Sequence, residues 1–587
     1  MHVKNALSKN VFVPYFNSEI LALNRTLRRR CHKSDILYNN DKYFWELLEV
    51  MKKKAIQLSP YLITAIGYIT WASFYIFKSS YIAIDGNRYF SLLDDAMISM
   101  RYAWNFSHGL GLVWNTGERV EGYSNLLMTL IMSIATYFFE KKWAVLAIQI
   151  FGILIVLVSA YLSSKIASEF FENKYHVKVL AFSVFLLTLF YYPLSYWSLL
   201  GMETGLVTAL TLVSILYVIR WTKNRHTNLL FVSSVFSGLA FLTRNDALIF
   251  TIVNFTYAGW VIWKERDKQN TQRLINAMLM YAIVVLGMFF FRWMYYGTWV
   301  PNTYTLKLGL IPLSVRLNDG LLYVFQFSLE SWLLLLLALA SFAIARGQWK
   351  WYLIGFIGMA FIYQIWTGGD AWRRWRFFVP AIPLLFILCI NLANIIVEGA
   401  TKKIKSIAIL IPFSTLSIFV FALTINTISP YWKEVTLSSA IPDRKTNQHN
   451  TDVAIAINAT TKSNAKIGVF LAGVIPYYSD RYAFDFLGKS DVHIASLYPH
   501  LPSKVIWFHK TTLPGHNKYD LYYSIKDMKP VYIQRDYWGE QYLRHFAVRN
   551  YVRFEYYDTN GMITLLLLKD SSDVYWERGV ILKWPHQ

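Results

Sequence analysis

Two cysteines, Cys31 and Cys389, are all that the 587 residues contain. One sits in a basic amino-terminal segment and the other inside an apolar run. The hydrophilic carboxy-terminal region therefore holds no disulfide, whichever side of a membrane it faces. No Cys/His cluster has zinc-site spacing. Charge is scarce as well: Asp, Glu, Lys and Arg make up 16% of the chain, against about 25% in average globular proteins. Neither a sequence repeat nor a low-complexity tract stands out. What is abundant is apolar. Hydrophobic residues reach 55% and mean hydropathy is +0.31. Length alone would suggest about four soluble domains of roughly 150 residues. Apolar runs of roughly 18 or more residues recur instead along most of the chain, the pattern of a polytopic α-helical membrane protein. That pattern excludes a soluble enzyme, a disordered scaffold and a β-barrel of short alternating strands.

Net charge is +22, which invites a nucleic-acid reading. Its distribution argues otherwise. Residues 429–587 carry 19 basic and 15 acidic groups, leaving 39 and 21 to the rest, and much of that excess lies in short loops between apolar runs. Positive-inside topology accounts for it, and no nucleic-acid partner is implied. The basic segment 1–58 reads as cytoplasmic, and its Val11–Leu27 stretch reads either as a surface amphipathic helix or as an extension with no role. No cleavable signal peptide is expected there, because the first strong apolar run starts near Pro60.

Candidate spans fall at 59–79, 124–139, 143–163, 179–197, 204–221, 229–245, 247–263, 275–296, 321–345, 351–367, 378–397 and 406–428. The basic connections Arg220–His226, Lys264–Arg273, Arg346–Lys350 and Lys402–Lys405 face the cytoplasm. The loops 80–123, 192–203, 297–320 and 368–377, and everything after 428, then face outward. Twelve crossings cannot join an inside start to an outside end. The short 124–139 segment is expected not to span, leaving about 11 transmembrane helices over 59–428. Residues 429–587 read as a soluble α/β domain on the outer side of the membrane, which the family resemblance given below makes the periplasmic side of a bacterial inner membrane. Strands are expected at Lys466–Ala472 and Lys504–His509, and a hairpin over Glu555–Lys569 turning at Asn560-Gly561.

Chemistry gathers in the outer loops. Asp94 and Asp95 open a helix, where carboxylates suit the positive end of the dipole, and Arg101 follows one to two turns on. A helix start attracts Asp for structural reasons alone. Paired carboxylates beside an arginine at a membrane boundary also make an acid/base group next to an anion site. Trp114, Glu118, Glu121, Tyr123 and Asn125 complete this loop as candidate substrate contacts, and Trp114, Trp372 and Trp375 offer faces on which a sugar could stack. Further polar groups interrupt the apolar runs: Glu203, Arg244 with Asp246, Asn302, Tyr304, Lys307, Asp370, Trp372, Arg373, Arg374 and Arg376. Ionisable groups at membrane depth cost about 2.5–3.5 kcal/mol each, which makes them functional candidates. A mutually satisfied pair is the plainer account of Arg244 with Asp246. Arginines on the outer side, where positive loops are disfavoured, are better explained by a specific anion than by lipid headgroups. An outward enzyme has no nucleotide sugars at hand, so its substrate must come through the membrane.

The run DDAMISMRYAWNFSHGLGLVWNTGERVEGYSNLL (94–127) resembles the first outer loop of a GT-C superfamily group of membrane glycosyltransferases, one that includes the mycobacterial terminal β-1,2-arabinofuranosyltransferase. The resemblance continues through GMET (201–204), LTRND (242–246), YYGTWVPNTYTLK (295–307) and GGDAWRRWRFFVPAIP (368–383). It reaches the tail in GVIPYYS (473–479), DFLGKSD (485–491) and PGHNKYD (514–520). It implies transfer of a pentofuranose, D-arabinofuranose above all, from decaprenyl- or undecaprenyl-phosphate to an outward-facing glycan or glycoprotein. It implies that Asp94 or Asp95 is the catalytic carboxylate. Arg101, Lys307, Arg374 and Arg376 would hold the donor phosphate, and the tail would position acceptor. Paired Asp can hold Mg²⁺ or Ca²⁺ with a donor phosphate, but no further clustered carboxylates support a metal, and no cofactor is required. LTRND departs from the Arg-Pro-Glu usual in relatives.

Three other readings remain open. A lipid-linked sugar transporter or flippase would place ionisable groups near the midplane and show paired repeats. An O-antigen polymerase-like enzyme would take lipid-diphosphate oligosaccharides. An inactive scaffold would use the outer loop only to pack the tail.

Overall fold

A computed structural model describes residues 60–171, 177–372, 374–401, 431–502, 506–507, 509–535 and 541–584. The basic amino-terminal segment with Cys31, Arg373 and the candidate span 406–428 lie outside these residues. By contacts the chain divides into Met1–Gly67 and Tyr68–Gln587, and of the first unit only 60–67, which are helical, are described.

Helix α1 (Pro60–Ser79) leads to a short antiparallel pair, β1 (Tyr81–Ile82) and β2 (Arg88–Tyr89), and then to α2 (Asp94–Ser107). There follow α3 (Leu126–Phe138), α4 (Lys141–Phe170), α5 (Val177–Leu189), α6 (Tyr192–Leu199) and α7 (Thr204–Asn224). Next come α8 (Thr227–Thr243), α9 (Leu248–Glu265) and α10 (Lys268–Tyr296). The apolar part closes with α11 (Asn302–Leu308), α12 (Leu313–Glu330), α13 (Trp332–Ile344), α14 (Trp349–Thr367) and α15 (Ile382–Thr401).

Among the described residues, six helices are long and apolar enough to cross a membrane, or up to eight if each of two bent pairs counts as one span. One bent pair is α5 with α6, at 50°; the other is α11 with α12, at 91°. Proline sets both breaks. Pro193 opens α6, and Pro301 and Pro312 stand immediately before α11 and α12, where a missing N–H costs nothing. Two expected spans are thus reshaped. Residues 179–197 form a bent pair, and 321–345 divides at Ser331 between α12 and α13. Helix α3 has 13 residues, or about 20 Å, short of the roughly 30 Å hydrocarbon core.

The tail is built from α16 (Trp432–Val435), α17 (Arg444–Thr460), β3 (Lys466–Val469), α18 (Val474–Ser479), β4 (Tyr482–Asp485) and α19 (Val492–Ser496). It continues through β5 (Tyr532–Ile533), α20 (Gln541–Asn550), β6 (Tyr551–Asp558), β7 (Gly561–Leu568) and β8 (Val580–Leu582). Its sheet runs β4-β3-β5-β7-β6-β8, parallel among the first three strands and antiparallel thereafter. The expected hairpin is β6–β7, longer than anticipated, with Asp558 opposite Gly561. The strand expected at 504–509 is not formed at 506–507 or 509, the described residues of that stretch.

The outer loop and the tail share one core. Ile98, Tyr102, Leu112, Trp114 and Tyr123 pack with Val453, Ile457, Ile467, Ile475, Phe554 and Leu565. Helix α2 belongs to this interior: nine of its 14 residues are buried.

Candidate active site

Helix α2 places its two leading carboxylates in different surroundings, because successive helical residues project about 100° apart. Asp94 faces the tail, where its carboxylate accepts the N–H of Val474 at 3.0 Å and of Gly473 at 3.1 Å. Asp95 faces a cavity of about 190 Å³. The Lys489 ammonium donates directly to Asp95 Oδ1, and an Arg376 nitrogen lies 3.9 Å from Asp95 Oδ2. Arg376 is itself held by Asp370, at 2.7 and 2.8 Å. Lys307 projects into the same cavity, and among the described residues no hydrogen bond or ion pair engages its ammonium.

These environments separate the two carboxyls. Burial pushes Asp94 up to about 6, against the pull of the Val474 N–H and Lys489. Burial also acts on Asp95, but Lys489 and Arg376 outweigh it and hold that carboxyl well below the usual carboxylate range. Asp95 is the member of the pair that holds its charge more firmly.

The opposite wall is a chain of hydrogen bonds. Ser99 donates to Asn125 Oδ1 at 3.0 Å, and Asn125 Nδ2 donates to Glu203 at 3.2 Å. Glu203 lies 3.4 Å from Arg244, whose guanidinium makes two 2.9 Å bonds to Asp246 and stacks over Phe377. Arg244 and Asp246 are thus the mutually satisfied pair that the sequence suggested, set in the cavity wall. Tyr123, Thr303, Tyr304, Tyr363, Thr367 and Pro514 also line the cavity.

Several expected site residues have other work. Arg101, expected at a donor phosphate, lies about six residues beyond Asp95, on the far face of α2. Its guanidinium is spent on the carbonyls of Trp114 (2.6 Å), Arg481 (2.7 Å) and Pro476. Arg374, also expected at the phosphate, pairs with Glu434 at 2.7 Å and stacks on Tyr196, outside the cavity. Trp114 is buried with its indole N–H on the Ala472 carbonyl, so no sugar can stack on it. Glu118 bonds Asn115 and Tyr482, and Glu121 lies buried beneath Arg292 at 2.8 Å. Asn302 is turned to the tail, and Trp372 is half-buried outside the cavity.

Residues 439–561 match the model of a domain of unknown function, DUF8728. No curated protein matches the chain. Among solved structures, ArnT from Cupriavidus metallidurans in the apo state aligns at 12% identity and a TM-score of 0.46, covering 73% of this chain and 86% of that one. The same enzyme bound to undecaprenyl phosphate aligns at 11% identity and a TM-score of 0.44 over the same shares. The Archaeoglobus fulgidus oligosaccharyltransferase in its apo form aligns at 11% identity and 0.46, covering 90% of this chain and 76% of that one.

Two cavity residues, Lys489 and Pro514, come from the DUF8728 region. Nothing in the sequence marks Lys489 as chemical, for it stands in a hydrophilic stretch 394 residues from its partner Asp95. The one available signal is its place inside DFLGKSD.

Proposed function

We propose that this chain is a membrane glycosyltransferase that moves a sugar from a polyprenyl phosphate to an outward-facing glycan or glycoprotein. The sugar proposed is D-arabinofuranose or another pentofuranose, and the carrier decaprenyl or undecaprenyl phosphate. One observation carries this reading. Seven of the segments that resemble GT-C transferases, spread from Asp95 to Pro514, converge on a single cavity. They bring to it Asp95 and three cations around it, Lys307, Arg376 and Lys489, beside the Glu203, Arg244, Asp246 and Asp370 of the wall, where apolar helices end.

The chemistry follows from that set. An acceptor hydroxyl beside Asp95 attacks the anomeric carbon as the bond from that carbon to phosphate oxygen breaks. Asp95 takes the hydroxyl proton, help worth about 10²–10⁴-fold. The bonding pair leaves on the phosphate, where fixed cations stabilise it without reorganising. Phosphate is a good leaving group, so no separate acid is needed. Lys307 and Arg376 are the proposed phosphate ligands; Tyr123, Glu203, Asp370 and Tyr304 line the room left for the sugars. This reading places the cavity and the tail on the periplasmic side, with the amino terminus in the cytoplasm.

Purified protein supplied with polyprenyl-phospho-arabinofuranose and an arabinan fragment should add one pentose, read by mass. No mass gain with this donor, alongside gain from a polyprenyl-diphosphate oligosaccharide, would replace the proposal with the polymerase reading.

A further inference from the structure

The loop between β4 and α19 is largely buried and tied down by hydrogen bonds from both sides. Asp485 accepts the N–H groups of Leu487 at 3.1 Å and Ser490 at 2.8 Å, closing the loop on itself. Asp491 caps α19 through the Ile494 N–H at 3.0 Å. Gly488 adopts φ +77°, and a Cβ there would stand 2.6 Å from an Ile494 side-chain carbon. From the other side Asn302 Nδ2 reaches the carbonyls of Gly488 (2.9 Å), Lys489 (3.1 Å) and Asp491 (3.1 Å). Of this loop, Lys489 is the residue that lines the cavity, and its ammonium lies on Asp95.

A carboxylate neutralised by a buried ammonium is a poor base. An arriving phosphate competes for the same cation, as a charge-assisted hydrogen bond to phosphate is at least as favourable as one to carboxylate. We propose that Lys489 is an exchanging cation: it holds Asp95 in the empty enzyme and passes to the donor's phosphate when the donor is seated. Asp95 becomes a competent base only with donor in place. This rests on the transferase reading above, and it gives the DUF8728 region a part in the reaction itself. When the acceptor oxygen bonds the anomeric carbon and the carbon–oxygen bond to phosphate breaks, the electron pair departs onto an oxygen neutralised by Lys489. The acceptor proton passes to the carboxylate that Lys489 has left.

The other charged groups facing Asp95 come from every neighbouring element. Arg376 and Asp370 come from the loop before α15, Lys307 from α11, Asp443 from the start of α17, and His516 from the loop after 513. Asp94 adjoins it on α2 but is turned to Gly473 and Val474. Arg376 is ion-paired with Asp370 and lies 3.9 Å from Asp95, so Lys489 is the cation in direct hydrogen-bond contact with that carboxylate.

The test uses full-length protein carrying Lys489→Met, Lys489→Gln or Lys489→Arg. Undecaprenyl phosphate binding, followed by tryptophan fluorescence, should weaken about tenfold in the Met and Gln variants and stay within about threefold in the Arg variant. The acid limb of kcat/KM for donor should move up by about one pH unit or more in the neutral variants, because Asp95 loses its counter-charge. A merely structural lysine would lower Tm and leave that limb in place. Neutral variants that fold, with wild-type donor affinity and acid limb, overturn the exchange. If wild-type protein neither binds polyprenyl phosphate nor transfers pentose, the transferase reading falls, and the exchange with it.

Discussion

The carboxylate of Asp94 and the backbone N–H of Val474 meet at 3.0 Å, closing a contact between the outer loop and a tail 380 residues away. Asp94 and Asp95 are neighbours with unlike tasks. Asp94→Asn replaces one acceptor oxygen with a donor amide facing N–H groups, and should cost about 1–3 kcal/mol of stability. Asp95→Asn should abolish transfer, and it also lowers Tm because Lys489 loses its counter-charge. Pentose transfer by mass, measured on the folded fraction, separates the two. Transfer retained in Asp95→Asn, or abolished in folded Asp94→Asn, would refute the division of roles.

The arginines divide in the same way. Arg101→Met strips donors from the carbonyls of Trp114, Arg481 and Pro476, so it should lower Tm while the folded fraction keeps its donor KM. Arg376→Met should raise donor KM about tenfold or more in the folded fraction, and it also lowers Tm because it strands the buried Asp370 carboxylate. Steady-state kinetics at several donor concentrations would show whether the two effects part.

Glu121 and Arg292 are both almost fully buried, with Arg292 also donating to Asn245 at 2.8 Å. Breaking a buried pair by removing one partner strands a charge, so Glu121→Gln or Arg292→Met alone should cost about 3–5 kcal/mol. The two changes together should cost less than either single change. A double-mutant cycle from thermal unfolding measures the coupling, and additive losses would contradict it.

Gly488→Ala should cost about 1–3 kcal/mol, since the added Cβ meets both a left-handed backbone and Ile494. The loop it distorts carries Lys489, so donor affinity should fall along with Tm. Unchanged values for both would show that the loop yields freely.

His516 supplies a pH signature. Burial, then Lys489, lowers its imidazole to about 4 from an ordinary 6.5. Between those values the unfolded chain binds a proton that the folded one refuses. Stability is thus complete above about pH 6.5 and declines as pH falls toward 4, by at most about 3 kcal/mol. His516→Gln should flatten that decline, as Tm at pH 7 and pH 5 would show.

The motif runs proved informative out of proportion to their chemistry. LTRND and GMET say little in isolation, yet Arg244, Asp246 and Glu203 form one wall of the cavity. Spacing misled where a helix face mattered. Arg101 looks close to Asp95 along the chain and lies on the other side of α2, while Arg374 and Arg376, two residues apart, leave a loop in different directions. The single-span reading of 321–345 failed because hydropathy averages over Ser331, where the backbone turns.

The sequence by itself determined that this is a chain of apolar helices with a hydrophilic tail, because burying apolar runs and keeping charge out of them are constraints each segment obeys alone. It also determined that α2 opens on two carboxylates. Only the tertiary structure decided which of them faces the cavity and that a lysine of the tail meets it, since such contacts depend on how distant segments pack into one core. No local pattern encodes a partner 394 residues away.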